Sequence, residues 1–197
     1  MPKLQFTLFW CKDADVEKSR SMTIIWATRE IAGRHGLELE FHPHEIRDPQ
    51  FVLNYTGEVI TKSEYNSGIQ TMNDVANKRV RGLAHTAFPT GDGRLPIIFG
   101  KLADMTPSLF LGQTIMSLDT PGVKAKSDWL PWCVVDPFRT NDRPHAFLHE
   151  AGHAAGAVHN MEISAPPGDL MIDGDVAKPV TISASVLELL RRAYFYW

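Results

Sequence analysis

Residues 149–159, HEAGHAAGAVH, constrain this chain more than any other stretch, because three histidines and one glutamate stand among alanines, glycines and a single valine. In a helix each residue turns by about 100°, so His149 and His153 lie on one face with only roughly 40° between them. Glu150, a single step on, falls beside that face instead of on it. If the helix continued, His159 would be roughly 9 Å further along the axis than His153 and about 240° around it. The helix must therefore stop first. Gly156 supplies the stop, since glycine alone enters a left-handed turn without steric cost, and the chain beyond it can double back to bring His159 to the same point. The small residues Ala151, Gly152, Ala154 and Ala155 leave the surroundings open to other elements.

Three neutral imidazoles at a tetrahedral zinc ion leave one position for water, which is what separates catalytic from structural zinc sites. Zinc lowers the pKa of such a water to about 7. A carboxylate beside the ion, here Glu150, then fits the general base that takes the water's proton and delivers it to a leaving amine. The expected chemistry is hydrolysis of a peptide bond, with zinc stabilising the oxyanion. At this composition an HExxH alone would arise by chance in roughly one such chain in sixty; requiring Gly156 and His159 as well lowers that to roughly one in twenty thousand.

The rest of the chain is that of an ordinary soluble globular protein. At 197 residues it is long enough for one good core, and a single domain over residues 1–197 is expected. A net charge of -3 offers no basic footprint for nucleic acid or an anionic membrane, and no apolar run reaches the length of a bilayer span. The start, MPKLQFTLFW, lacks the small-residue cleavage pattern of a secretion signal and reads as a first strand. The expected compartment is the cytoplasm, or the outside reached without a standard signal. Two cysteines, Cys11 and Cys133, are too few for a disulfide scaffold; both read as reduced packing residues, with a single bridge between them the alternative.

Alternation in KLQFTLFW and again in LELEF predicts two strands. Between them, from Val16 to about His35, Met22, Ile25, Trp26, Thr28, Ile31 and Ala32 recur at helical spacing, with Gly33 and Gly36 as stops. This strand, helix, strand order begins an α/β layer. A short helix is predicted around Met72, Val75, Ala76, Val80 and Leu83. LPIIFGKL, LFLGQTIMSL and WCVVDPF are strand candidates. Asn141 or Asp142 could cap the helix that carries the histidines, with Pro144 in its first turn. TISASVLELLRRAYFYW reads as a last helix with Val186, Leu187, Leu190, Ala193, Tyr194 and Trp197 on its apolar face.

HEAGHAAGAVH resembles the HExxHxxGxxH signature of the metzincin zinc endopeptidases. The resemblance covers most of the chain in outline and residues 149 to about 171 in detail. It implies an α+β catalytic domain: a twisted mixed sheet with a backing helix, an active-site helix, a methionine turn and a C-terminal helix. An upper part over about 1–156 and a lower part over about 157–197 would enclose the cleft. It makes His149, His153 and His159 the zinc ligands and Glu150 the general base, and it calls for a methionine in a tight turn under the metal. Met171 in PPGDLMIDG, flanked by turn residues, fits this; Met161 is the competitor, but it follows His159 too closely to loop beneath the ion. Peptide substrate would lie extended along the sheet edge formed by LFLGQTIMSL.

Two departures matter. Asp173 stands where some branches of the family carry a tyrosine, so no tyrosine role is carried over, and Asn160, directly after the third histidine, assigns the chain to no particular branch. Elsewhere, His145 falls four before His149 without a supporting motif, and His42–His44 reads as a solvated turn after a strand. Asp92, Asp119, Asp169 and Asp175 lie in loops where calcium could bind, but none forms a calcium loop. The competing functional reading is a zinc-bearing binding or structural module without turnover; Glu150 argues against it, because a purely structural site has no use for a base beside an open position.

Overall fold

Leu4–Trp10 forms strand β1, the reference from which the sheet is laid out. Its alternation predicts a strand but not its surroundings: Gln5 and Thr7 are buried as well as Leu4, Phe6 and Leu8, so both faces are covered. The reason is its place in the sheet. β2 (Leu39–His44) and β3 (Leu95–Phe99) flank it and both run parallel to it, and parallel strands are covered on both faces. The buried Gln5 amide is satisfied on its own face, donating to Glu40 Oε2 at 3.3 Å and lying 2.9 Å from His42 Nε2 through its oxygen.

The computed structural model describes residues 1–10, 18–44, 93–99, 112–115, 132–137, 143, 145–160, 166–172 and 179–197. Within them the sheet has five strands in the order β2-β1-β3-β5-β4. β5 (Trp132–Val135) is parallel to β3, and β4 (Gly112–Ile115) closes the edge antiparallel to β5. The sheet is thus mixed, as expected of an α+β fold, and its antiparallel edge falls within LFLGQTIMSL. The segment HPH is not a turn after β2 but its last three residues. Pro43 is tolerated there because β2 is an outer strand, where a missing N–H need not break a ladder. Cys133 is buried in β5; Cys11 and the helix predicted around Met72–Leu83 lie outside the described residues.

Helix α1 (Lys18–Arg34) occupies the predicted segment, but its buried stripe is rotated from the predicted one. Ser21, Ile24, Ile25, Thr28, Ile31 and Ala32 are buried, whereas Met22 and Trp26 are 45% and 63% exposed. Small polar residues can take such places when they satisfy themselves: Thr28 Oγ1 donates to the Ile24 carbonyl at 2.8 Å. α2 (Ala146–Ala154) packs on β4, β5 and α1, and α3 (Ala184–Arg192) packs on α2. Phe147 of α2 pins the helix to the sheet. Its ring meets Phe6 at 5.1 Å and Phe41 at 5.7 Å, both edge to face, a favoured aromatic arrangement.

Two helix ends depart from expectation. α2 begins at Ala146 with His145 as its cap and no side-chain capping bond; Asn141, Asp142 and Pro144 are outside the described residues. α3 ends at Arg192, and Ala193 is already extended with ψ 148°. The predicted apolar face stopped short because β3 pairs only with Phe6 to Trp10, leaving the start of β1 with unfilled backbone groups on that side. The C-terminal residues fill them. Lys3 N donates to Trp197 O at 2.9 Å, Trp197 N to Lys3 O at 3.1 Å and Gln5 N to Phe195 O at 2.7 Å. Phe195 is thereby buried beside Phe6. One buried cluster runs from the sheet through α2 to Met171 and α3. Among the described residues no helix is long and apolar enough to cross a membrane.

Candidate metal centre

The helix that carries His149 and His153 is held on nearly every side: Ala146, Phe147, Leu148, Glu150, Ala151, Gly152 and Ala154 are all buried. Only the histidine face opens outward, with His149 and His153 half-buried. The helix then ends where Gly156 predicts. Gly156 has φ +99°; its N–H donates to His153 O and the Ala157 N–H donates to Gly152 O, each at 2.9 Å. Those two bonds form the Schellman closure, which satisfies the last helical carbonyls while reversing the chain. Three residues later His159 faces back toward α2.

The three rings converge through the same atom. His149 Nε2 lies 3.0 Å from His159 Nε2 and 3.1 Å from His153 Nε2, and the remaining pair is 3.1 Å apart. The other nitrogens of the two helical rings are committed elsewhere: His149 Nδ1 donates to the Leu170 carbonyl at 2.7 Å and His153 Nδ1 to the Ala157 carbonyl at 2.9 Å. A neutral imidazole has one N–H. His149 and His153 therefore present bare Nε2 lone pairs to each other, which repel at this distance. A proton on His159 Nε2 could serve only one of them.

Protonating the cluster is no remedy. Burial, followed by the neighbouring His153 charge, pushes the His149 imidazole down to about 3, and burial likewise lowers that of His153. A cation shared by all three nitrogens resolves the conflict. Zinc bound to histidine at about 2.0–2.1 Å in a tetrahedron needs nitrogens about 3.3 Å apart, within a few tenths of an ångström of the observed triangle. The tautomers of His149 and His153 are those that metal-binding histidines adopt, with the distal N–H held by a carbonyl. Among the described residues His149, His153 and His159 form the group able to hold a metal ion.

Glu150 is buried at 6% exposure, one helical step from His149. Met171 is fully buried beneath the helix. A Cβ at Gly152, between the two helical histidines, would lie 2.7 Å from Met171 Sδ, so the small residue there admits the close approach of the turn. Met161 and Asp173 are outside the described residues. Asn160 adopts φ 51°, a left-handed conformation that asparagine tolerates better than most residues, and its N–H donates to Met171 O at 2.9 Å. The segment carrying His159 is thus fastened to the turn carrying Met171.

Sequence reasoning missed what organises that turn. Asp169, read as an ordinary loop residue, is 2% exposed; Oδ1 accepts the Met171 N–H and Oδ2 the Ser183 N–H, each at 2.9 Å. The signal was present in PPGDLM, because an aspartate commonly bonds the backbone two residues on and so closes a turn. Its carboxylate is engaged by the chain itself, which removes it from the calcium candidates; Asp92, Asp119 and Asp175 are outside the described residues. His145 is buried at the cap of α2 and is not part of the three-histidine group.

No protein-family model matches the chain, and no curated protein is similar to it. Among solved structures, the crystal structure of metalloproteinase-II from Bacteroides fragilis is similar in fold, with a TM-score of 0.51 at 14% sequence identity over 98% of this chain. The chain spans about half of that one, 53% of its length. A mixed α+β fold similar to that of a metalloproteinase, with three histidines able to hold a metal ion, is what sequence and structure together establish.

Proposed function

We propose that the chain is a zinc-dependent endopeptidase of the metzincin type. The observation that carries this reading is the convergence of three Nε2 atoms, two of them on rings whose Nδ1 is already held by a backbone carbonyl. The fold likeness to a metalloproteinase and the glycine-terminated helix support it. His149, His153 and His159 would hold the ion. Zinc, when bound, supplies a Lewis acid and a water whose pKa is near 7.

The chain's own groups do the remainder. Glu150 accepts a proton from the attacking water and hands it to the leaving amine nitrogen as the C–N bond breaks. The Leu170 and Ala157 carbonyls keep both helical imidazoles in the tautomer that leaves Nε2 free. Met171 supports the helix from below, and peptide substrate lies extended along the β4 edge. The test is digestion of a mixed peptide library with and without a chelator, alongside Glu150→Ala. Cleavage should vanish with chelator, return with zinc and fall by about 10²–10⁴ in the variant while zinc remains bound. Wild type and variant that hold zinc yet are equally inert would leave a metal-bearing binding module instead.

A further inference from the structure

The Leu170–Met171 peptide is a rigid plane whose carbonyl and N–H point in opposite directions. On one side its oxygen accepts the His149 Nδ1 proton at 2.7 Å, and on the other its N–H donates to Asp169 Oδ1 at 2.9 Å. Turning this plane to release either bond would break the other. Asp169 cannot follow such a rotation, because its second oxygen holds the Ser183 N–H at the entrance of α3 and its own N–H donates to Pro166 O at 2.8 Å. Neighbouring backbone bonds close the frame: Leu170 N to Thr181 O at 2.8 Å and Thr181 N to Gly168 O at 2.7 Å.

We propose that Asp169 is a positioning residue for His149: its buried carboxylate fixes the peptide plane that sets the tautomer and orientation of that ring. The proposal rests on the reading of His149 as a metal ligand. It gives a polar residue of the turn, and not only the apolar Met171, a task at the site. Outer groups that orient a ligand histidine typically alter metal affinity by about 10–100-fold when removed.

The experiment uses the full chain as wild type, Asp169→Asn and Ser183→Pro. Asparagine keeps one acceptor but turns an N–H donor toward one of the two backbone N–H groups, so the clamp loses one arm. Proline at 183 suits the φ of −64° and deletes the N–H that Oδ2 accepts, along with a hydroxyl 3.5 Å from Ser185 Oγ, leaving Met171 N on Oδ1. Three quantities are read: zinc affinity against a chromophoric chelator, the visible spectrum of the cobalt-loaded protein, and the ring ¹⁵N shifts of His149 in metal-free protein. Asp169→Asn should weaken zinc binding about 10–100-fold, shift the cobalt bands and mix the two His149 tautomers. Ser183→Pro should lower the unfolding midpoint and, because it frees only the second carboxylate oxygen, move the cobalt bands and the tautomer less than Asp169→Asn does.

An Asp169→Asn protein with wild-type affinity, bands and tautomer would overturn the inference. Equal spectral shifts in both variants would also do so, since the carboxylate would then act only as general bracing. Should wild type bind no metal while the His149 tautomer still depends on Asp169, the metal-site reading fails and the positioning role stands. Should Asp169→Asn fail to fold, Asp169→Glu, which keeps both acceptors on a longer arm, takes its place in the tautomer and cobalt measurements, with the same two results deciding.

Discussion

The two helical histidines and the third one reach the same point by different physics. His149 and His153 are neighbours because helical residues four apart share a face, and their Nε2 atoms lie 3.1 Å apart on a helix pinned by Phe147. His159 owes its place to a reversal: a left-handed Gly156, an α-helix closure through Ala157, a left-handed Asn160 and a bond from Asn160 to the turn beneath. The first half of the cluster is held by regular secondary structure, the second by a few backbone bonds and one glycine. Yet the halves share supports. The Ala157 carbonyl of the reversal holds His153, and the Leu170 carbonyl of the turn holds His149, so the loop half orients the helix half as well as completing it.

Acid should have the largest effect, because it acts on both helical imidazoles together. The folded-state pKa values of His35, His149 and His153 are lowered, that of His149 to about 3. An unfolded histidine titrates near 6.5, so between these values the unfolded chain binds more protons and stability falls as pH falls. Urea unfolding of the metal-free protein from pH 8 to pH 4 should show a stability that is level above about 6.5 and declines below it. Zinc occupancy, measured by metal analysis after dialysis, should fall below about pH 6, since ligand imidazoles must be deprotonated. Metal content unchanged at pH 4 would count against histidine ligation altogether.

Gly156→Val strikes the loop half alone. A β-branched residue forced to a φ of +99° should cost about 3 kcal/mol in stability, and His159 should no longer return to the helix. Zinc affinity should drop while far-UV circular dichroism still reports α2. A variant that binds zinc as tightly as wild type would mean that the reversal does not depend on a left-handed glycine.

Gly152→Ala sharpens the contact between the halves. The added methyl would meet Met171 Sδ at 2.7 Å, and overpacking of this kind costs about 1–3 kcal/mol, toward the lower end here because the thioether can turn aside. The thermal midpoint should fall by a few degrees, with a smaller loss of zinc affinity than Gly156→Val. An unshifted midpoint would show that Met171 does not press on the helix.

Much of this was legible before any coordinates, for identifiable reasons. Helical spacing fixes the relation of His149 to His153, and Gly156 marks the end of the helix, because both depend on a few adjacent residues. The strands were readable from alternation and apolar runs, including LPIIF and WCVV at β3 and β5. The rotation of the buried stripe on α1 was not, since Ser21 and Thr28 become interior only once the helix has packed against the rest of the molecule. Nor was the end of α3: the backbone bonds of residues 195–197 answer the open flank of β1, a need created by the shorter reach of β3. Asp169 was misread for a similar reason, as its partners Met171 and Ser183 come together only after the turn and α3 have packed.

By itself, then, the sequence determined the ligand types, their local spacing and the place where the helix must break, because steric and periodic rules act over a turn or two of chain. Tertiary structure decided which carbonyls take the spare ring protons, how the 166–172 turn is held, and that three Nε2 atoms meet within 3.1 Å. Those outcomes join residues up to 21 positions apart, and no local rule relates the directions of groups that packing alone brings face to face.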